Sequence, residues 1–276
     1  MNYKPKILFA LPNMLIKSVL AVIFLFPFVW MMLSSIKTYG ETIIYPPILI
    51  PRVPQWGNFL KVWESGPYML YLRNSIIVAF STIMLQTLVI VPAAYAFAKY
   101  SFRGRFLCFG VVMMAFMIPS QITFISVYLM MADMGLLKTL WPQILPFGAN
   151  AFGIFLLRQA FKQIPEELIE SARLDNAGEL SILYRIMLPM AKPSMVAITM
   201  FSFISTWNDY FWPFVMTNTI AVRPLTIGIA ALRDIEGAHQ WEIIMAGNVI
   251  LVSPILLVYA LFNKKIINAF AYCGIK

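Results

Sequence analysis

The run Glu170-Ser171-Ala172-Arg173-Leu174-Asp175-Asn176, followed ten residues on by Ile186-Met187-Leu188-Pro189, decides how this chain is read. It is polar and charged, and long apolar runs stand on either side of it. Of the 276 residues, 61% are hydrophobic and 12% are charged, where a soluble domain carries about 25% charged residues. Several apolar runs are long enough to cross the roughly 30 Å of hydrocarbon in a bilayer. In a chain built largely for lipid, a helical segment this polar must face water.

The apolar runs predict an all-α membrane protein with six transmembrane helices, near Leu15–Ser35, Ser75–Ala98, Phe106–Ser126, Leu140–Leu157, Ser194–Phe214 and Ile243–Phe262. Pro27, Pro92, Pro119, Pro146 and Pro254 fall inside them. Membrane helices tolerate proline because neighbours satisfy the freed carbonyls; these prolines read either as packing kinks or as bends that shape a pathway. Lys4 and Lys6 precede the first run as in a signal peptide, but Leu15–Leu33 is longer than an h-region of roughly 7–15 residues, and no clean small-x-small site follows. A retained first membrane helix is expected. No internal repeat, low-complexity tract or linker divides the chain, so residues 1–276 are expected to form a single membrane domain.

Charge sets the orientation. The net charge of +9 comes from bases scattered between apolar runs, with no basic face or arm, so it points to topology rather than to nucleic acid. With the N-terminus inside, one side of the membrane holds Lys4, Lys6, Lys17, Lys99, Arg103, Arg105, Arg158, Lys162, Arg173, Arg185, Lys192, Lys264, Lys265 and Lys276. The other side holds the remaining seven of the 21 bases. The richer side is the cytoplasmic one by the positive-inside rule, which places both termini and the 159–190 segment inside. Residues 38–72 then lie outside, and their Tyr45-Pro46-Pro47, Trp56, Trp63 and Tyr68 suggest an ordered cap at the membrane surface. Residues 215–241 form a second outer loop of mixed charge. Two cysteines, Cys108 and Cys273, give no disulfide framework, and the lone His239 excludes a His-rich metal site. With one histidine, one acid inside a span and no H-E-x-x-H, an intramembrane enzyme is disfavoured.

The polar segment has its own local logic. Pro165 suits the first turn of a helix, where its missing N–H costs nothing. Glu166 and Glu167 favour the positive end of the helix dipole. Glu170 and Arg173, three apart, can pair along one face. Ser171 and Ala172 are small enough for another protein to approach closely. Asn176-Ala177-Gly178 reads as a stop, since Asn and Gly tolerate left-handed backbone. A second short helix from Glu179 to Met187 is expected to lead through Leu188-Pro189 into the next span. By itself this is a helix–turn–helix at a membrane surface, and an ordinary interfacial connector would look the same.

The spacing resembles the EAA signature of bacterial ABC importer permeases. Glu170, Ala172, Ile186, Leu188 and Pro189 stand at the motif's positions, and Asp175 and Ala177 fit its common Asp-Gly-Ala variant. Ser171 replaces the first Ala, and Asn176 replaces the Gly as the next best left-handed residue. The chain is similar to the maltose-type carbohydrate group, and to its smaller permease partner, in further stretches. These are Pro27-Phe28-Val29-Trp30 with Ser35-Ile36-Lys37, Gly135 to Thr139, Gly153 to Arg158, Ile164 to Leu168, and Trp207-Asn208-Asp209-Tyr210. The ending Phe270 to Lys276 is only loosely like the family's tail. The resemblance implies the type I ABC importer permease fold, with the 159–190 segment as the coupling helix that docks into an ATPase subunit. It implies a multi-pass protein of the bacterial cytoplasmic membrane. A second, homologous permease, two ATPase subunits and an extracytoplasmic solute-binding protein would be its partners besides lipid, with no nucleic acid. No cofactor is expected on this chain, which lacks a G-x-x-x-x-G-K-[ST] loop. ATP and Mg would be held by the ATPase subunits.

Asp209 is the acid placed inside a span, about 15 residues or roughly 22 Å along a helix. A charge there is costly and marks either function or a local cap at the interface. With Trp207, Asn208, Tyr210 and, in the last span, Asn248, it is a candidate for the substrate pathway, as amides and aromatics suit hydroxylated ligands. A sugar or oligosaccharide is the expected substrate. Glycerol phosphate or a related solute is the alternative, and an uncoupled carrier or channel the remote one.

Overall fold

A computed structural model describes the backbone of residues 6–233 and 240–274, and the side chains of residues 14–233 and 240–263. The described secondary structure is helical throughout. Among the described residues, three continuous helices are long and apolar enough to cross a membrane, within Met14–Ser35, Tyr68–Lys99 and Trp241–Asn263; counting three sharply bent helix pairs as one span each brings the number to six at most. The residues gather in two compact units, residues 1–68 with 228–253, and residues 69–227 with 254–276.

The first unit contains α1 (Lys6–Ser35), α2 (Tyr39–Ile43) and α3 (Gly57–Glu64). The apolar window of α1 has no buried residue, as a helix facing lipid or another subunit requires. The predicted outer cap is ordered by specific polar contacts. Thr38 and Glu41 form a reciprocal capping box at the start of α2, and Glu41 also accepts the Arg52 backbone N–H at 2.9 Å. Asn58 donates to the carbonyls of Ser35 (3.0 Å) and Lys37 (2.8 Å), which the end of α1 leaves without helical partners. The buried Lys37 ammonium lies 4.3 Å from the Trp30 ring centre.

The second unit is assembled around α4 (Tyr68–Lys99), which runs past both ends of the predicted 75–98 span. Its buried Ile90, Val91, Ala94 and Tyr95 form a core with Leu157, Phe161, Ile182, Met187 and Ile198. Three predicted spans differ from the structure, two of them where proline removes helical hydrogen bonding. The 106–126 span is two helices, α5 (Arg105–Met117) and α6 (Ser120–Asp133), bent by 97°; Pro119 forces Ile118 into an extended conformation between them. The 140–157 span is not one helix either. Pro142 and Pro146 reduce its first half to two 3₁₀ turns, Trp141–Gln143 and Leu145–Phe147. Asn150 then caps α7 (Ala151–Lys162) by accepting the Gly153 N–H at 2.9 Å.

The connector continues as α8 (Glu166–Leu174) and α9 (Glu179–Ile182), a π-helical turn over Leu183–Met187, and the short α10 (Leu188–Met190). It bends by 81° into α11 (Lys192–Asn208). The 194–214 span also breaks at Asp209-Tyr210 before α12 (Phe211–Met216). Residues 215–233 are structured, by a 3₁₀ turn at Ile220–Val222 and α13 (Leu225–Ala231). The helix α14 (Trp241–Gly274) closes the chain. His239 and the side chains of Lys264, Lys265, Cys273 and the tail lie outside the described residues.

Candidate functional site

α8 forms where expected, and its C-terminal end is set by capping. Pro165 stands one position earlier than predicted, as the extended residue before the first turn, so Glu166 and Glu167 occupy that turn. Asn176 adopts φ +58°, the one non-glycine residue with positive φ among the described residues. The N–H of Ala177 reaches the Ala172 carbonyl (3.0 Å) and that of Asn176 the Arg173 carbonyl (3.0 Å), the paired bonds of a Schellman ending. Gly178 is extended, with φ −67° and ψ 154°. The turn therefore falls on the Asn that replaces the motif's Gly.

One face of α8 is buried and the other is open. Ile169 and Ala172, three apart, join the core, so the small size of Ala172 serves internal packing and not an outside partner. Glu166, Glu167, Leu168, Glu170, Ser171, Arg173 and Leu174 are exposed. Leu174 (83% exposed) and Leu180 (72%) flank the turn as bare apolar side chains on a polar segment. The motif does not specify them. Their sequence signal is two leucines out of phase with Ile169 and Ala172.

The predicted Glu170–Arg173 pair does not form. Arg173 instead donates through Nε to Glu179 Oε1 at 3.1 Å across the turn. Glu179 is the better partner because the Tyr95 hydroxyl already fixes it, donating to Oε2 at 2.7 Å. Hydrogen bonds from Tyr100 and Tyr95 hold the Glu179 carboxyl below its ordinary value, and the Glu179 hydrogen bond raises the Arg173 guanidinium. At the other end of α8, Lys99 Nζ donates to the Ile164 carbonyl and to Glu166, both at 2.8 Å. Sequence reading did not single out Tyr95, Lys99 or Glu179, because their partners are 65 to 84 residues away.

The expected second helix, 179–187, is interrupted at Leu183 by the π turn. Ile186 lies in that turn, half-buried against the core, with Leu188 and Pro189 just beyond it. Pro189 supplies no N–H and its ring crowds the preceding carbonyls, and a widened turn is how a helix accommodates such a residue without breaking.

The Trp207–Tyr210 motif is split by its surroundings. Trp207 is buried and lies 5.4 Å from Phe203 ring to ring. Asn208 is exposed, and the exposed Tyr210 stacks on Phe214 at 5.5 Å. Asp209 lines a cavity with Ser75, Gln143, Ser205, Thr206 and Trp212. That cavity measures about 30 Å³, room for one or two waters and not for a sugar. Asp209 is not in the middle of a helix. It ends α11 and its Oδ1 accepts the Trp212 N–H at 3.2 Å, capping α12, while its carbonyl accepts the Thr226 hydroxyl at 2.9 Å. Gln143 is buried with its Oε1 unpartnered. Asn248 is half-buried midway along the first part of α14, in the other unit. At the start of that helix, Glu242 is a buried acid, which the sequence reading missed because it stands one residue outside the predicted span. Among the described residues, no three His, Cys, Asp or Glu side chains gather as a metal site.

The family model for the inner membrane component of binding-protein-dependent transport systems matches residues 89–270, and the chain belongs to that family. It is 31% identical over 249 residues, 89% of this chain, to the diacetylchitobiose uptake system permease protein NgcG of Streptomyces coelicolor, covering 82% of that protein. It is 30% identical over 258 residues, 91% of each chain, to the sn-glycerol-3-phosphate transport system permease protein UgpE of Yersinia pestis. A chain in the crystal structure of a bacterial ABC transporter that imports the acidic polysaccharide alginate superposes with a TM-score of 0.85 at 25% identity, over 96% of this chain and 99% of that one. The fold is thus that of an ABC importer permease, and the chain is embedded in the membrane as a component of such an importer.

Proposed function

We propose that this chain carries a sugar or oligosaccharide across the bacterial cytoplasmic membrane as one of two different permeases in a binding-protein-dependent importer. It has no catalytic role of its own in this reading. Two ATPase subunits bind ATP and Mg and dock on the 159–190 segments, and a solute-binding protein delivers the substrate from outside. Both termini are cytoplasmic.

The observation that carries the coupling role is α8 itself. One face is locked into the core by Ile169 and Ala172, and the opposite face offers Glu167, Glu170, Ser171 and the bare Leu174. A helix held this way moves as a body when its outer face is displaced, as rigid-body switching requires. Permeases whose names specify diacetylchitobiose and arabinooligosaccharides are among the relatives, the latter AraQ of Halalkalibacterium halodurans at 29% identity over 93% of each chain. They support a saccharide. The glycerol phosphate permease supports a smaller, anionic solute as the second reading. Trp207, Asn208, Asp209, Tyr210 and Asn248 remain the proposed pathway residues, and the small cavity lined by Asp209 supports Asp209 as the first to test.

The test is Glu170→Lys in the complete transporter. It reverses a charge on the open face without touching the core. The expected result is loss of solute uptake, with the ATPase either released or hydrolysing ATP unproductively. Uptake at the unmodified rate would exclude α8 as the docking surface.

A further inference from the structure

The structure holds two ion pairs among the described residues, and they stand at the two ends of α8. Lys99, whose side chain is 6% exposed, reaches from the last turn of α4 to the N-terminal end. There it satisfies the carbonyl of Ile164, just before α8, and pairs with Glu166, the first residue of α8. One turn earlier on α4, Tyr95 donates to Glu179, which in turn holds Arg173 in the last turn of α8. Tyr95 is itself fixed edge-on between Tyr100 (5.6 Å) and Phe161 (6.3 Å). The exposed pair of Arg173 and Glu179 adds little stability, since such pairs contribute about 0–1 kcal/mol. Its geometry is what counts, because with Lys99 it leaves α8 no end free to move independently of α4.

The other end of α4 is equally committed. Asn74 donates to the carbonyls of Ala221 and Arg223, both at 2.9 Å, and Ser75 accepts the Leu225 N–H at 2.8 Å. Ser75 and Val78 also line the Asp209 cavity. From Lys99 to Ser75 is about 36 Å of continuous helix at 1.5 Å per residue. Rigid elements with fixed attachments at both ends are what carry coupling between distant sites.

We propose that α4 is the transmission rod of the permease, with Lys99, Tyr95 and Glu179 as positioning residues that clamp both ends of α8 to it, so that a displacement of α8 arrives at the Asp209 cavity. This rests on α8 being the ATPase-docking helix. The test uses the reconstituted importer with all its subunits in liposomes, comparing Tyr95→Phe, Lys99→Met, their combination, and Lys99→Arg. Subunit stoichiometry, ATP hydrolysis and solute taken up per ATP are measured together. Tyr95→Phe retains the ring packing and removes only the hydroxyl. The combined variant is expected to keep its ATPase subunits and to hydrolyse ATP within about two-fold of the unmodified protein, while uptake per ATP falls by about five-fold or more, the scale of a typical coupling energy. Lys99→Arg, which keeps the charge and donors, should restore most of the ratio. An unchanged ratio overturns the clamp. So does a parallel fall of hydrolysis and uptake with loss of subunits, which would make the contacts merely structural. If the unmodified permease itself brings no ATPase into the complex, the docking reading fails instead, and the two failures are distinct.

Discussion

At the scale of single residues, Asn176 and Glu179 do what neither composition nor motif spacing explains alone. Asn176 holds the left-handed turn that ends α8, so Asn176→Gly should be nearly neutral in thermal unfolding. Asn176→Val should lower stability by roughly 1–2 kcal/mol, the cost of a left-handed residue with a crowded Cβ. Glu179 carries a pH signature. Hydrogen bonds from Tyr100 and Tyr95 lower its folded-state pKa. The stabilisation is therefore fully present above the ordinary Glu value of about 4.3 and is lost as pH falls through the lower, folded value. Thermal unfolding of the unmodified protein and of Glu179→Gln, followed from neutral pH into acid, should differ at neutral pH and converge once the pH has fallen through the folded value. A difference that persists unchanged in acid would remove the charge from the account. The turn was legible because Asn is one of the few residues that tolerates it. The Glu170–Arg173 pairing misled because helical spacing shows which residues can meet, and not that a tyrosine far along the chain has fixed a better acid six residues on.

The elements were legible in kind and less so in continuity. Apolar runs found every long helix, since burial in lipid depends on composition. Where the runs break depends on backbone hydrogen bonding, and Pro119, Pro142 and Pro146 divide two predicted spans. The fifth breaks without a helix-interior proline, at the Asp209 cap, which only the structure reveals. Close packing between elements was not legible at all. A Cβ at Gly153 in the first turn of α7 would stand 2.6 Å from Ile90 Cδ1 of α4 and 3.3 Å from Ile198 Cγ2 of α11. Gly153→Ala should therefore destabilise by about 1–3 kcal/mol through overpacking. Shortening the neighbour, Ile90→Val, should recover part of that loss. Thermal unfolding of both variants in detergent checks it, and an additive effect of the two substitutions would contradict the contact.

At the scale of the whole molecule, the chain is a membrane component with a polar connector, residues 159–190, between apolar helices. It belongs to the family of the inner membrane component of binding-protein-dependent transport systems. The side of the membrane on which the connector lies, and the subunits that meet it, are proposals drawn from the charge distribution and the open face of α8, and these are the parts to measure. The most direct measurement is the composition of the complex purified in mild detergent from the native membrane, by mass spectrometry, for the unmodified chain and for Leu174→Asp. The account predicts a stoichiometric ATPase and a second, different permease with the unmodified chain. It predicts selective loss of the ATPase, with the second permease retained, when the bare leucine beside the turn is made acidic. A homo-oligomer without ATPase, or an ATPase that stays bound to Leu174→Asp as well as to the unmodified chain, would contradict it.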